Sequence, residues 1–222
     1  MNLTLGKANS GPLKVLCLGA HSDDIEIGCG GTVLELAKRG PQVSFHWVVF
    51  SAQGKRGEEA SAAAARFTGG CENSFHLKEF RDGFLPYSAI QVKEFFEALK
   101  DRVNPDVIFT HWQGDAHQDH RLVSELTWNT FRNHLILEYE IPKYDGDMGR
   151  PNVFVPLEAF TPKAKVEHLC DVFESQRSKP WFTPETFLGL MRLRGMECNS
   201  PSNYAEAFYA RKVLIDPAVR GS

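Results

Sequence analysis

Residues 13–31 read LKVLCLGAHSDDIEIGCGG, with His21, Asp23 and Asp24 in the middle. Leu13–Gly19 is a nearly unbroken apolar run, suited to a parallel strand buried on both faces. A histidine and two adjacent aspartates follow at once. Such groups are costly at the end of a buried strand unless a cation or water receives them.

Working outward, strand and helix signals alternate through the first half of the chain. A helix is expected from Thr32 as cap to about Arg39, ended by Gly40-Pro41. Val43–Phe50 reads as a second strand, Glu58–Phe67 as a helix stopped by Gly69-Gly70, and Ser74–Leu77 as a short strand. Ala89–Arg102 has helical spacing, Asn104-Pro105 breaks the chain, and Asp106–Thr110 is another buried strand followed by a helix at Arg121–Phe131. Strands alternating with helices imply right-handed crossovers and a Rossmann-like three-layer α/β/α sandwich on a mostly parallel sheet. Leu135–Tyr139 and Asn152–Val155 are further strands, and Thr161–Phe173 is a helix with Thr161 as cap and Pro162 at its first position. The last fifty residues, rich in aromatics and prolines, are expected to wrap over the sheet.

The 222 residues suit one domain, 1–222, with residues 1–12 as a flexible leader that lacks an apolar signal core. A net charge of −3 gives no reason to expect nucleic acid or an anionic membrane as partner. No stretch approaches the ~20 apolar residues of a membrane span. Five cysteines without a C-x-x-C pair read as reduced thiols in a cytoplasmic protein.

A second polar cluster, His111 to His120 (HWQGDAHQDH), follows the Asp106–Thr110 strand, so both clusters fall where open α/β sheets bind ligands. His21/Asp24 and His117/His120 are each three residues apart, and a tight turn or first helical turn can aim both members one way. One His and one Asp from one strand end, with a His from another, would make a mixed N/O metal site with an open position for water. Asp23, beside a ligand, could act as general base. The bland readings are solvated histidines and a helix-capping aspartate. Gly28-Cys29-Gly30-Gly31 evokes a dinucleotide-binding turn, but it begins several residues after the strand and lacks the third glycine. An anionic pair at the strand end would also repel a pyrophosphate. These glycines are read as a turn passing close to the site.

AHSDDIEIGCGG (residues 20–31) resembles the A-H-P-D-D-x-E-x-G-x-G-G signature of the PIG-L (LmbE-like) zinc-dependent de-N-acetylases, and His117-Gln-Asp-His120 resembles their H-x-D-H signature. The resemblance implies that His21, Asp24 and His120 bind Zn2+, with Fe2+ or another divalent metal left open. It implies that Asp23 is the general base, that His117 as imidazolium stabilises the oxyanion, and that Asp119 orients and charges that imidazole. It implies a hydrolase that removes the acetyl group from an N-acetyl-sugar conjugate of the N-acetylglucosamine type. The usual proline is Ser22 here, which makes the turn looser or adds a hydroxyl. Arg56, in the loop after the second strand, could contact sugar hydroxyls or an acidic aglycone, and Asp115 could contact substrate or support its loop. Phe173-Glu-Ser-Gln176 resembles a family pocket-wall helix, and Tyr204-Ala-Glu206-Ala-Phe208 a family Y-A-E-x-F. Cys29 is expected to pack rather than ligate; Trp112, Trp181 and Phe182 could stack on a sugar or pack. Residues 140–150 could be a lid or an oligomer contact. The rival readings are hydrolysis of a different acyl amide and a non-catalytic metal- or sugar-binding module.

Overall fold

The computed structural model describes residue 5 and residues 11–214; most of the expected leader lies outside the described residues. The elements are β1 (Leu13–His21), α1 (Asp24–Ala37), β2 (Val43–Ser51), α2 (Lys55–Thr68), β3 (Glu72–Leu77), α3 (Ala89–Arg102) and β4 (Val107–His111). They continue with α4 (Gln118–Thr130), β5 (Leu135–Tyr139), β6 (Val153–Pro156), α5 (Thr161–Val172), α6 (Pro184–Glu197) and β7 (Ala205–Tyr209). The seven strands form one sheet in the order β3-β2-β1-β4-β5-β7-β6. The five strands from β3 to β5 run parallel, while β7 is antiparallel to both β5 and β6.

The apolar run that opens the chain sorts itself by alternation. Val15 and Cys17 join the core beneath α1, α2, α5 and α6, whereas Leu16, Leu18 and Ala20 face the core beneath α3 and α4. Burial on both faces explains why β1 shows no polar alternation. The chain leaves β1 for β2 on one side, then returns to β4 on the other. The carboxyl ends of β1 and β4 therefore flank the switch point where such sheets gather a ligand.

Two expectations fail here. Helix α1 starts at Asp24 rather than after Thr32, so Gly28, Gly30 and Gly31 lie inside a helix and not in a turn. The reason is close packing: a Cβ on Gly28 would stand 2.1 Å from the Tyr139 ring, and one on Gly30 would stand 2.6 Å from Phe67. The last fifty residues do not simply wrap the sheet, since β7 inserts between β5 and β6. Its Glu206 accepts from the backbone N–H of Gly31 (2.7 Å) and Thr32 (2.6 Å) and pairs with Lys165 Nζ (2.6 Å), which also donates to Ile27 O (2.6 Å). The buried Lys165–Glu206 pair thus braces α1, the helix whose first turn carries Asp24, against α5 and β7.

Candidate metal centre

His21 ends β1 and Asp24 begins α1, and the turn between them is closed by the His21 N–H, which donates to Asp24 Oδ2 at 2.6 Å. Ser22, in the proline position, is buried with its hydroxyl unpartnered among the described residues, so the Asp24 carboxylate rather than a ring holds the turn. Asp23 precedes α1, but its side chain makes no capping bond. Its carboxylate instead lines the cleft above the sheet.

His117 and His120 come from the start of α4. His117 Nδ1 accepts from the Asp119 N–H at 3.2 Å, so His117 itself caps the helix. That bond leaves the ring proton on Nε2. His120, one turn into the helix, meets the residues of the first cluster. Its Nε2 lies 3.1 Å from His21 Nδ1 and 3.5 Å from Asp24 Oδ1, while His21 Nδ1 lies 3.3 Å from Asp24 Oδ2. Donor atoms around a tetrahedral divalent ion with bonds of about 2.0–2.1 Å are separated by about 3.4 Å, so the three groups fit a shared metal ion.

The outer face of each imidazole is held by carboxylate. His120 Nδ1 lies 2.9 Å from Asp115 Oδ2, and His21 Nε2 lies 3.2 Å from both Asp119 Oδ2 and Asp82 Oδ1. Donating the outer N–H fixes the tautomer and turns the other nitrogen's lone pair inward, the arrangement that metal-binding histidines show. The resemblance implied that Asp119 orients His117, but its carboxylate reaches His21 and the N–H groups of Gly83 (2.8 Å) and Leu85 (3.1 Å). Only its backbone serves His117. Asp115 is 3 % exposed, and its other oxygen accepts from the His117 N–H (2.7 Å). It supports the loop and His120 from below.

Charge in the cluster is heavily coupled. Burial alone would lower the pKa of His21 and of His120, but neighbouring carboxylates, Asp24 foremost, hold both above the ordinary value. Burial likewise opposes ionisation of Asp24, yet His120, His111 and His21 hold it well below the carboxylate range. Asp23 is pushed up to about 6 by burial and by Asp24. His117 is lowered by burial, then by His120 and His21, in accord with a neutral ring rather than the imidazolium that the resemblance implied. His111, at the end of β4, is lowered to about 4 by burial; its ring stacks on His120 at 3.9 Å and its Nε2 accepts from the Ala20 N–H at 2.9 Å. With that lone pair engaged, His111 is a floor under the cluster rather than a ligand.

The cleft above has a volume of ≈ 230 Å³. Arg56, from the first turn of α2, lines it but is held by Asp82, whose carboxyl is held well below its usual range first by His21 and then by Arg56. Sequence reasoning passed over Asp82, whose one signal was the Asp82-Gly83 turn pair, with Gly83 at φ +77°. It also passed over Lys143 and Lys179. Lys143 Nζ bridges Asp115 (2.9 Å) and Asp147 (2.5 Å), and Asp147 accepts from the Ala116 N–H (2.7 Å). Arg194 donates to both Glu140 oxygens (2.6 and 2.9 Å) and to Gly149 O (3.4 Å). Residues 140–150 therefore form a cleft wall pinned at both ends. Trp181 lines the cleft and Phe182 is core; Trp112 instead stacks on Tyr209 (4.6 Å, 11°). Cys29 is buried in the core. Among the described residues no helix is long and apolar enough to cross a membrane.

Comparison with known proteins agrees with this geometry. The Escherichia coli K12 protein described as uncharacterized deacetylase YaiS is 30% identical over 141 residues, which is 58% of this chain and 74% of that one. The fold resembles the N,N'-diacetylchitobiose deacetylase of Pyrococcus horikoshii (TM-score 0.67, 21% identity, 89% of this chain and 83% of that chain). It resembles equally the 4-carboxy-2-hydroxymuconate hydratase GalB of Pseudomonas putida KT2440 (TM-score 0.67, 17% identity, 93% and 99%), so fold alone does not choose the chemistry. The model of the PIG-L family, GlcNAc-PI de-N-acetylase, matches residues 16–131. The chain belongs to the PIG-L de-N-acetylase family.

Proposed function

We propose that this protein is a metal-dependent hydrolase that removes the acetyl group from an N-acetylglucosamine-type sugar conjugate in the cytoplasm. The observation that carries the reading is the convergence of His21 Nδ1, His120 Nε2 and the Asp24 carboxylate within 3.1–3.5 Å of one another, with both outer imidazole nitrogens on carboxylates. His21, Asp24 and His120 would hold the ion. A divalent metal there, zinc or iron(II), supplies Lewis-acid polarisation of the acetyl carbonyl and a more acidic water.

The remaining groups do the proton work. Asp23 has no competing cap bond and its buried carboxylate lines the cleft beside the ligands, where it can take a proton from the attacking water and return it to the leaving amine. His117, protonated on Nε2, donates to the oxygen on which negative charge develops. Asp119 and Asp115 hold His21 and His120 in orientation. The sugar acetamide as substrate is supported by the family's description and by the chitobiose deacetylase among the related folds.

The test is amine release from a panel of N-acetylglucosaminides and unrelated acetamides, with metal content measured on the same samples. The reading expects release from the sugars, lost in Asp23→Asn without loss of metal. Release from unrelated amides alone would favour a different acyl-amide hydrolase. Metal binding without turnover of any amide would favour a binding module.

A further inference from the structure

Helix α6 is apolar on two sides. Phe187 and Met191 lie in the core, while Leu193 (56 % exposed) and Met196 (66 % exposed) stand on the opposite face. A helix that covers one core needs one apolar face, so the second asks for a cover of its own. Helical spacing traces the outer side through Glu185, Gly189, Arg192, Leu193 and Met196, all of them exposed.

Gly189 is the second observation. A glycine inside a helix costs about 1 kcal/mol relative to alanine, and ordinarily answers to something packed against it. In α1, Gly28 and Gly30 answer to the Tyr139 and Phe67 rings. In α6 itself, Gly195 answers to the Asn203 backbone, whose oxygen lies 2.1 Å from where a Cβ would stand. At Gly189 a Cβ would meet nothing within 4 Å, so no neighbour among the described residues requires that position to be bare.

Charge is the third. Neither Glu185 nor Arg192 makes an ion pair among the described residues; Arg192 donates to Asn203 O (3.1 Å) and stands 5.9 Å from the centre of the Tyr204 ring. The two charges are two helical turns apart, on one flank of α6, with Gly189 between them. Let a second α6 cross antiparallel at Gly189. The two-fold rotation then sets Glu185 of each copy opposite Arg192 of the other, giving two identical pairs from one sequence. A helix that is its own charge complement about a bare crossing point is matched to itself.

We infer that α6 is a two-fold interface through which this chain pairs with a second copy of itself, crossing antiparallel at Gly189 and covering Leu193 and Met196. The inference does not depend on the deacetylase reading. The exposed charge pairs add little affinity and chiefly fix the register. Helix α6 has 14 residues, roughly 21 Å of contact, which is small for a stable interface. A dissociation constant on the order of micromolar is therefore expected.

The experiment is sedimentation of the full chain from about 1 to 200 µM, with thermal unfolding of every variant as the check on folding. The wild type should pass from one chain, 25.0 kDa, to two as concentration rises. Gly189→Leu adds a side chain where the single chain has room, and should weaken dimerisation about tenfold or more with its unfolding temperature kept. Glu185→Arg and Arg192→Glu each set like charges opposite, and each should weaken it about tenfold or more. The double reversal, Glu185→Arg with Arg192→Glu, restores the original net charge and should return to within about threefold of wild type. Added salt should weaken the wild-type dimer and strengthen those of the single reversals. Should Arg192→Glu unfold through loss of its Asn203 bond, Gly189→Leu and Glu185→Arg still decide. A monomer at every concentration, or a dimer that none of these variants weakens, overturns the inference. Weakening by the single reversals without recovery in a folded double reversal overturns the antiparallel crossing.

Discussion

The floor and the rim of the cleft are built differently. The floor comes from two short stretches, residues 21–24 and 115–120, each set at the carboxyl end of a parallel strand by backbone geometry that the sheet enforces. The rim takes Arg56, Asp82, Lys143, Tyr144, Lys179 and Trp181 from four separate segments, held by ion pairs across the chain. In the floor the groups that do chemistry are neighbours in sequence. In the rim they meet only after folding. The first region should therefore fix what reaction occurs and the second which molecule undergoes it.

Substitutions in the floor should have the largest effects. Asp24→Ala removes one donor of the cluster and the acceptor that closes the His21 turn, and should abolish both tight metal binding and amine release, read by metal analysis and an amine assay. Asp23→Asn should lower kcat by about 10²- to 10⁴-fold while metal content stays at wild-type level. Loss of metal in that variant would make Asp23 a ligand and redraw the floor. Asp115→Asn should weaken metal affinity by about 10- to 100-fold, measured by competition with a chelator, because His120 loses its carboxylate partner.

A brace below the floor predicts a different signature. Glu206→Ala leaves Lys165 buried without its carboxylate and removes the acceptor that Glu206 offers to the Gly31 and Thr32 N–H groups, and should cost about 3–5 kcal/mol in denaturant unfolding. Replacing both, as Lys165→Met with Glu206→Gln, should restore much of that stability. The smallest effect belongs to the rim. Tyr144, 71 % exposed, should on replacement by alanine raise KM about three- to tenfold with little change in kcat. A large fall in kcat there would erase the division between floor and rim.

The same contrast explains what could be read before the structure. The strands β1, β2, β4 and β5 and helix α3 were legible because burial on both sheet faces, or a regular apolar stripe, leaves a local periodic trace. The two polar clusters were legible for a similar reason, since both sit at recognisable strand ends; the choice of His21, Asp24 and His120 within them came from the family signatures. The glycines of α1 misled, since their cause is the Tyr139 and Phe67 rings, more than thirty residues away along the chain. Helix α6 was hidden because exposed Leu193 and Met196 blur the stripe made by Phe187 and Met191, and its buried Arg194 reads as polar. Strand β7 was obscured by Glu206, a buried carboxylate whose partners lie in α1 and α5. The His21 contact of Asp119 was equally invisible, since the family resemblance implied a role beside His117 instead.

The most direct test of the account is X-ray absorption at the metal edge of protein loaded with one equivalent of zinc. The account predicts a four- to five-coordinate shell of nitrogen and oxygen, with multiple scattering from two imidazoles and no sulfur. A shell containing sulfur, or one lacking imidazole scattering, would contradict the assignment of His21, Asp24 and His120.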